Sequence, residues 1–276
     1  MSAATIRAFR ETDLDGAVAA NVAVGWAPRL ALVEFYGRRD DSALFVAEVE
    51  GKIAGCGGAT VFPGTPATGW VHCIVVRPEH RRAGLGRWLT EAAIEWLRGR
   101  SAATVLLLAT DAGRPIYQRL GFTAGERYGS FSSPTAGGAV GAEIRPMTTD
   151  DLPEVRALDR AATGEDRAGF IESLVTSGWV TTRAGAIDAF HLACPWGGGP
   201  SVARDVVSGC EMIDLARRLP PASSRGLGLP LANAAAVKHL AGLGVTAGSS
   251  VTRMWLGTPP SWRPDMIFGV FNFGVG

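Results

Sequence analysis

The segment 81–86 has the residue types and spacing that suit binding of a phosphate group. It reads Arg-Arg-Ala-Gly-Leu-Gly, between an apolar run that stops at Pro78 and an amphipathic segment at 87–98. This pattern predicts a strand, a turn and a helix. Gly84 and Gly86 carry no Cβ, so a ligand can approach the backbone, and a helix N-terminus presents N–H groups to an anion. The segment therefore predicts a pyrophosphate site.

The spacing Arg81-x-x-Gly84-x-Gly86 resembles the acyl-coenzyme A loop of the GNAT superfamily of N-acetyltransferases, which reads Arg/Gln-x-x-Gly-x-Gly/Ala between a strand and a helix. A second signature of that family, Tyr-x-x-x-Gly-Phe, matches residues 117–122. The two signatures stand in the family's order with one apolar strand between them, so the resemblance covers residues 5–131. This turn carries neither a P-loop Gly-Lys-Ser/Thr nor a Gly-x-Gly-x-x-Gly fingerprint.

The resemblance implies that the chain uses acyl-coenzyme A, with acetyl-coenzyme A as the expected donor, and transfers the acyl group directly to a primary amine of a small molecule. The residues that it places against the coenzyme are Ile74, Val75, Val76, Arg81, Arg82, Ala83, Gly84, Leu85, Gly86 and Arg87. A backbone N–H of strand 74–76 is the expected donor to the carbonyl oxygen as it becomes an oxyanion. The family also places Tyr117 near the coenzyme sulfur, where its hydroxyl can protonate the leaving thiolate.

The identity of the general base stays open at this point. Some members of the family carry a glutamate where this chain has Trp70. His72 lies two residues further along the predicted strand and so faces the same side, and an imidazole suits the removal of a proton from an ammonium near neutral pH. A lone histidine in a strand is more often structural. Glu34 and Asp111 are further candidates.

Three aromatic residues near the start of the chain, Trp26, Phe35 and Tyr36, could line the acceptor pocket or belong to the core. Cys73 follows His72 directly, so strand alternation predicts that it faces the opposite side and that no Cys–His nucleophilic pair forms. The four cysteines are scattered without metal-type spacing. We therefore expect free thiols, a cytoplasmic location and no metal site.

The elements that must position these residues follow from the apolar periodicity. Those predicted for the first half are a strand at 5–9, helices at 12–24 and 28–36, strands at 43–48 and 53–61, a loop at 62–69, a strand at 71–76, a helix at 87–98, a strand at 104–109 and a helix at 111–120. Those predicted for the second half are a helix at 166–177, strands at 179–183, 186–194 and 201–205, a helix at 207–219, a strand at 227–230 and a helix at 233–243.

The two halves share a repeated start. Ile144-Arg145 followed by Asp151-Leu152 repeats Ile6-Arg7 followed by Asp13-Leu14 at a constant offset, which predicts a duplicated domain. We expect a catalytic GNAT domain at 1–131, a linker at 132–142 and a degenerate GNAT-like domain at 143–276 without the coenzyme loop. The expected fold class is α/β (α+β), with two tandem domains that are each a mixed, mostly antiparallel sheet flanked by helices. The loop 195–200, with Trp196, is expected to wall the acceptor side.

Composition narrows the function further. The chain has 276 residues, 47% of them hydrophobic, and a net charge of +1, which argues against nucleic acid or an anionic membrane as the main partner. No apolar run reaches the length of a membrane span and no secretory leader is expected. A homodimer is left open. Two other functions also stay open: a non-catalytic acyl-coenzyme A sensor, and a thioesterase or decarboxylase on the same fold.

Overall fold

The structure is a computed structural model that describes residues 4–132, 143–219 and 226–276. The strands in these ranges are β1 (Thr5–Ala8), β2 (Ser42–Val49), β3 (Lys52–Phe62), β4 (Ala67–Val76), β5 (Ala102–Ala109), β6 (Thr123–Ser132), β7 (Ile144–Pro146), β8 (Gly178–Arg183), β9 (Ala186–Leu192), β10 (Ser201–Ala203), β11 (Gly226–Pro230), β12 (Ala247–Leu256) and β13 (Ile267–Gly269). The α-helices are α1 (Leu14–Ala23), α2 (Leu30–Gly37), α3 (Leu85–Arg98), α4 (Arg114–Arg119), α5 (Leu152–Thr163), α6 (Ala168–Ser173), α7 (Val206–Ala216) and α8 (Ala234–Gly242).

The strands form two sheets. The first has eight strands in the order β1-β2-β3-β4-β5-β12-β6-β11, and the second has five in the order β13-β10-β9-β8-β7. Only β4 and β5 pair in parallel among these strands, and the other neighbours are antiparallel. The predicted fold class is confirmed: helices flank two mixed or antiparallel sheets, consistent with a tandem arrangement.

The first sheet contains strands from both halves of the chain. β12 lies between β5 and β6, and β11 pairs with the other edge of β6. The sequence prediction missed three strands: β6, β12, whose first residues are Ala-Gly-Ser-Ser, and β13, which has three residues. Because strands from beyond residue 143 complete the first sheet, the predicted division at 131 and 143 stays a prediction. Ser132 ends β6, and the rest of the predicted linker, 133–142, lies outside the described residues.

The repeated sequence at the start of each half makes the same ion pair. The Arg7 guanidinium donates to Asp13 at 2.6 and 2.9 Å, and the Arg145 guanidinium donates to Asp151 at 2.8 and 2.7 Å. Each carboxylate also accepts a backbone N–H three residues earlier in the chain. In both halves this pair joins the first strand to the start of the first helix, which supports the prediction of a duplication.

Aromatic side chains from both halves share one core. The ring of Phe170, on α6, meets Phe35, Phe62 and Phe271 in edge-to-face contacts with centroids 5.2 to 5.5 Å apart. A buried hydrogen-bond pair crosses the same region, because Glu165 accepts from Thr68 Oγ1 at 2.9 Å and from Trp70 Nε1 at 2.8 Å. The last described residues, 270–276, are largely buried beside it. The halves therefore share apolar burial that neither could provide alone.

Helix α3 packs on the face of the first sheet opposite this shared core. Its buried residues recur at helical spacing, namely Leu85, Leu89, Ala93 and Leu97, and they cover β3 and β4. Its polar face is exposed. The amphipathic pattern at 87–98 thus predicted the helix correctly, and the structure extends it back to Leu85 in the coenzyme loop. No helix in the described ranges is both long and apolar enough to cross a bilayer.

Candidate active site

The first sheet opens at the end of its parallel strand pair. The pairing of β4 with β5 runs from Ala67 to Trp70, where Trp70 lies opposite Leu106. Beyond this point β4 continues to Val76 against β3 alone among the described strands. The two strands therefore diverge, and the backbone of Ile74, Val75 and Val76 borders a gap on the β5 side. This is the geometry in which main-chain groups can bind an extended ligand.

A β-bulge lies in the middle of this open stretch. Cys73 has φ of 54°, in the left-handed region, and the register of β3 with β4 shifts between Cys56 and Gly58. The bulge changes the alternation of side chains, so Cys73 lines the same cavity as Tyr36, on which the ring of His72 stacks. The prediction that Cys73 faces away from His72 is therefore wrong. The four cysteines are free thiols, as predicted.

The glycines opposite the bulge make room for the side chains of β4. A Cβ on Gly57 would come within 2.4 Å of Ile74 Cδ1, and one on Gly58 would come within 2.4 Å of the His72 ring. Both approaches are far inside van der Waals contact. The Gly-Gly pair in β3 is thus a sequence signal for the bulge, since a glycine inside a strand marks close approach of another group.

The N-terminus of α3 is open. Gly84 is its N-cap with φ of 83°, a conformation that disfavours other residues, and no side chain caps the helix. Leu85 is buried and anchors the first turn, while Arg81, Arg82 and Ala83 are exposed. The first backbone N–H groups of the helix have no intrahelical partner and lie beside exposed positive charge. An anion such as a pyrophosphate fits this position.

The three predicted coenzyme arginines differ in their contacts. Arg81 Nε is 3.4 Å from the carbonyl oxygen of Val76, Arg82 has φ of 66°, and Arg87 pairs with Glu91 at 2.9 Å. All three side chains are exposed. Their role in binding the coenzyme stays a prediction, which the open helix end supports.

Tyr117 lies on α4 near the bulge. Its ring meets Phe122 edge to face at 6.0 Å, and the side chain is half-buried among the apolar residues that also contact α3. Burial raises the pKa of Tyr117 to about 12, with a further rise from the nearby Cys73 thiol. The phenol is therefore protonated at neutral pH, the state that a general acid requires.

His72 is enclosed rather than open to an acceptor. Its side chain is 2% exposed, its ring stacks on Tyr36 at 4.0 Å, and its Nε2 lies 3.1 Å from Thr60 Oγ1. Burial lowers the pKa of His72 to about 3. A neutral, enclosed imidazole is a weak candidate for removing a proton from an ammonium, so the assignment of His72 as base remains an untested prediction.

The other candidates lie around the same region. Glu34 is exposed on α2 and lies 4.0 Å from Arg38, and Asp111 is exposed at the start of α4 near Arg114. Among the predicted pocket aromatics, Tyr36 is buried and lines the cavity, whereas Phe35 meets Trp196 of the second half at 4.8 Å. Trp196 thus contacts α2, and the expectation that its loop walls the acceptor side stays a prediction.

A small cavity reaches the bulge from beneath α1 and α2. The residues that line it are Phe9, Ala17, Asn21, Arg29, Leu32, Val33, Tyr36, Leu44, Phe45, Cys56, Gly57 and Cys73. Sequence reasoning missed Asn21 and Arg29, because neither belongs to a motif and their proximity depends on how α1 and α2 pack. The described residues hold no cluster of three His, Cys, Asp or Glu that could bind a metal ion.

The corresponding turn of the second half is closed. The Asp205 carboxylate caps α7 and accepts from the backbone N–H groups of Val207 and Ser208 at 2.7 and 3.0 Å. β13 pairs with β10 on the side where β5 stands beside β4 in the first half. Within the described ranges, only the region around β4 therefore combines an open strand edge, a bulge, an uncapped helix end and a protonated tyrosine.

The first half therefore combines an α/β arrangement with an open strand edge and an open helix N-terminus. Residues 14–122 match the model of the family described as Acetyltransferase (GNAT) family. This match to the family model lies in the region where the two sequence signatures predicted a resemblance to the GNAT acetyltransferases.

Several curated relatives match part of the chain. An uncharacterized N-acetyltransferase of Bacillus subtilis is 32% identical over 132 residues, which cover 47% of this chain and 45% of the relative. A mycothiol acetyltransferase of Thermomonospora curvata is 36% identical over 87 residues, or 30% of this chain and 29% of that one. A glucosamine 6-phosphate N-acetyltransferase of Trypanosoma brucei brucei is 29% identical over 133 residues, which cover 44% of this chain and 90% of the relative. The match thus spans less than half of the first two relatives.

Solved structures share the fold over nearly the whole chain. A candidate acetyltransferase of Pyrococcus horikoshii superposes with a TM-score of 0.84 at 19% identity, covering 99% of this chain and 96% of that one. A GCN5-related N-acetyltransferase of Sphaerobacter thermophilus gives a TM-score of 0.57 at 15% identity, covering 94% and 97%. At these identities the likeness establishes the arrangement of both sheets and nothing about the substrate.

Proposed function

We propose that the protein is an acyl-coenzyme A-dependent N-acyltransferase that transfers acetyl from acetyl-coenzyme A to a primary amine of a small molecule. The observation that carries this proposal is the joint opening of the first sheet and of helix α3. The gap between β4 and β5 leads to the uncapped N-terminus at Gly84. An extended ligand with a pyrophosphate at one end and a thioester at the other fits that path.

The backbone around the bulge supplies the groups that bind and activate the thioester. Residues Ile74 to Val76 border the gap without β5 as a neighbour, so their main-chain groups are available to a ligand. A backbone N–H in this stretch would donate to the carbonyl oxygen as it gains negative charge. The basic residues Arg81, Arg82 and Arg87 would balance the phosphate charge at the other end.

Tyr117 would act as the general acid. Its hydroxyl stays protonated because its pKa is about 12, and the helix that carries it begins where β5 ends. Attack of the neutral amine forms a C–N bond, and collapse of the tetrahedral intermediate breaks the C–S bond. The proton on Tyr117 would then pass to the leaving thiolate, while the attacking nitrogen would lose its extra proton to water, and water would return a proton to the Tyr117 phenolate.

A small-molecule acceptor is supported by the size and lining of the cavity beneath α1 and α2. Most of its walls are apolar side chains, and it reaches the bulge at Cys73. Two relatives are named after small molecules: one is a mycothiol acetyltransferase, and the other is a glucosamine 6-phosphate N-acetyltransferase. A cytoplasmic location and the absence of a nucleic-acid partner, both expected from the sequence, belong to this proposal.

Release of free coenzyme A thiol, measured with and without a panel of primary amines, tests the proposal. A transferase releases thiol only when an accepted amine is present, and the acetylated amine appears by mass spectrometry. Release without amine would identify a thioesterase. Binding of acetyl-coenzyme A with no release under any condition would identify a sensor. Either of the last two results would overturn the proposed function.

A further inference from the structure

The cavity beneath α1 and α2 contains an arginine that makes no ion pair with any carboxylate of the described residues. Arg29 is half-buried, lines the cavity and holds its guanidinium over the ring of Trp26 at 4.6 Å. It also lies beside the thiol of Cys73. Burial raises the pKa of this thiol, and the charge of Arg29 offsets part of that rise. The guanidinium is thus held at the acceptor side of the bulge.

Two other arginines that are partly or fully buried have carboxylate partners. The buried Arg167 makes a bidentate pair with Asp159, at 2.5 and 2.9 Å, and Arg39 pairs with Asp41. In the parts of the chain that the structure describes, no carboxylate forms an ion pair with Arg29. A half-buried guanidinium carries five N–H donors, and a ligand oxyanion could bind two of them at once.

A second polar group in the cavity also lacks a partner. Asn21, on α1, is 2% exposed and donates through Nδ2 to the carbonyl oxygen of Ala17 at 2.9 Å. That carbonyl can only accept, so the Asn21 nitrogen must face it and the amide orientation is defined. The Oδ1 atom is buried, and no described protein group donates to it. A buried acceptor without a donor is costly, and an N–H of a ligand would satisfy it.

We propose that the acceptor is a primary amine that also carries an oxyanion, such as a carboxylate or a phosphate, with the oxyanion bound by Arg29 and the amino group received near Asn21 Oδ1. This rests on the proposed function and specifies the substrate class of the same site. The apolar walls, including Leu32 and Phe45, would hold the carbon skeleton between the two polar ends. A neutral or purely cationic amine would leave Arg29 unpaired.

Matched amine pairs and an Arg29→Gln variant test this assignment. One pair is L-leucine and 3-methylbutylamine, which differ by the carboxylate, and the other is 2-aminoethyl phosphate and ethanolamine, which differ by the phosphate. In the native protein the anionic member of at least one pair should have the higher kcat/KM. Arg29→Gln should lower that value on the order of ten- to a hundred-fold, mainly through KM, and leave the neutral member unchanged.

The pair that responds identifies the oxyanion. Arg38→Gln is the matched control, because it removes the same charge from an exposed position that does not line the cavity. It should have no effect on either member. If neutral amines react as well as anionic ones, or if Arg29→Gln affects both members equally, the inference is wrong while the N-acyltransferase function stands.

Calorimetric binding of the same four compounds, with coenzyme A present, separates this inference from the proposed function. Binding of an anionic member that is lost in Arg29→Gln supports the assignment even if no amine gives turnover. Equal binding of anionic and neutral members, or no binding of any of the four, overturns it. Asn21→Ala completes the design: it should weaken both members of a responding pair, because both contain the amino group, whereas Arg29→Gln weakens one.

Discussion

The two strand–helix turns that follow β4 and β10 differ in whether the N-terminus of the next helix is capped by a side chain. After β4, the N-terminus of α3 is capped only by Gly84, and arginines surround it. After β10, the Asp205 carboxylate occupies the N-terminus of α7 and accepts two of its N–H groups. The groups that could bind a phosphate in the first half are already satisfied by the protein in the second.

The strand that faces each turn differs as well. β4 is separated from β5 beyond Trp70, but β10 is paired with β13. Phe268 of β13 lies against the first turn of α7, where a Cβ on Gly209 would meet its ring at 2.3 Å. Both the phosphate end and the cleft are therefore filled in the second half. We infer that one coenzyme binds per chain, and the predictions below test this contrast.

Gly84→Glu is expected to abolish coenzyme binding. It places a carboxylate at the open helix end, where it would take the position of a phosphate as Asp205 does in the second half. It also forces a larger residue into φ of 83°. Titration calorimetry should show one site in the native protein and none in the variant.

Gly185→Glu is the matched control for this substitution. Gly185 has φ of 81°, is exposed in the second half and has open space around its Cβ position, so the backbone strain is similar. It should leave coenzyme binding unchanged. Two sites in the native protein, or normal affinity in Gly84→Glu, would show that the two turns are functionally alike.

Tyr117→Phe is expected to keep coenzyme affinity and to lower kcat on the order of a hundred-fold, because the variant cannot protonate the thiolate. Tyr128→Phe is a suitable control, since Tyr128 is also a buried phenol in the first half with its pKa raised to about 12. Steady-state kinetics at saturating substrates gives the comparison. An unchanged kcat in Tyr117→Phe would make this residue a core aromatic.

Asp205→Ala is expected to lower the free energy of unfolding by about 1 kcal/mol through loss of the α7 cap. Asp205→Asn should cost less, because an amide oxygen can still accept from the helix N–H groups. Neither variant should bind a second coenzyme, since β13 still fills the cleft. Denaturant unfolding and calorimetry measure the two effects, and a stoichiometry of two would mean that the cap alone closes the second half.

The smallest effects are expected from the feature that the halves share. Burial opposes ionisation, but the arginine bonds outweigh it, so the pKa of Asp13 is lowered from 3.8 and that of Asp151 is lowered to about 2. Because the folded-state pKa is depressed, the stability from each pair is present above about pH 4 and is lost as pH falls toward 2. Asp13→Asn and Asp151→Asn should each lower Tm modestly at pH 7.

Thermal unfolding from pH 7 to pH 2.5 checks this expectation. The difference in Tm between each variant and the native protein should shrink below pH 4, and the two variants should behave alike. A penalty that is independent of pH, or one confined to a single half, would contradict the equivalence of the two ion pairs.

Sequence reasoning succeeded where the signal is local. The Arg81-to-Gly86 spacing, the amphipathic run of α3 and the repeated Arg–Asp pair each depend on residues close together in the chain, so the elements and the open turn could be predicted. It failed at Cys73, since a bulge changes strand alternation and only the Gly57-Gly58 pair hints at it. Arg29 was missed as well, because its role depends on how two helices pack around a cavity.

The pairing of strands between the two halves could not be predicted either. A cut in the predicted linker would separate the two predicted domains. In the structure such a cut removes β12 from between β5 and β6, and it removes Glu165 from Trp70. Pairing between distant segments leaves no periodic trace in either one, so the order of strands in the first sheet could not be derived from the sequence.

The strand order β5-β12-β6-β11 has a consequence for synthesis on the ribosome. When β6 emerges, neither of its eventual neighbours has been translated, because β12 and β11 both come from the second half. Until then Tyr128 and Phe131 of β6, which are buried in the complete fold, have no neighbouring strand to pack beside. One edge of β5 also stays unpaired until the chain has been made through Leu256. Such edges favour association with other nascent chains. The first sheet therefore cannot be completed before β11 and β12 have been made, and a fragment that ends before them would leave the edges of β5 and β6 unpaired.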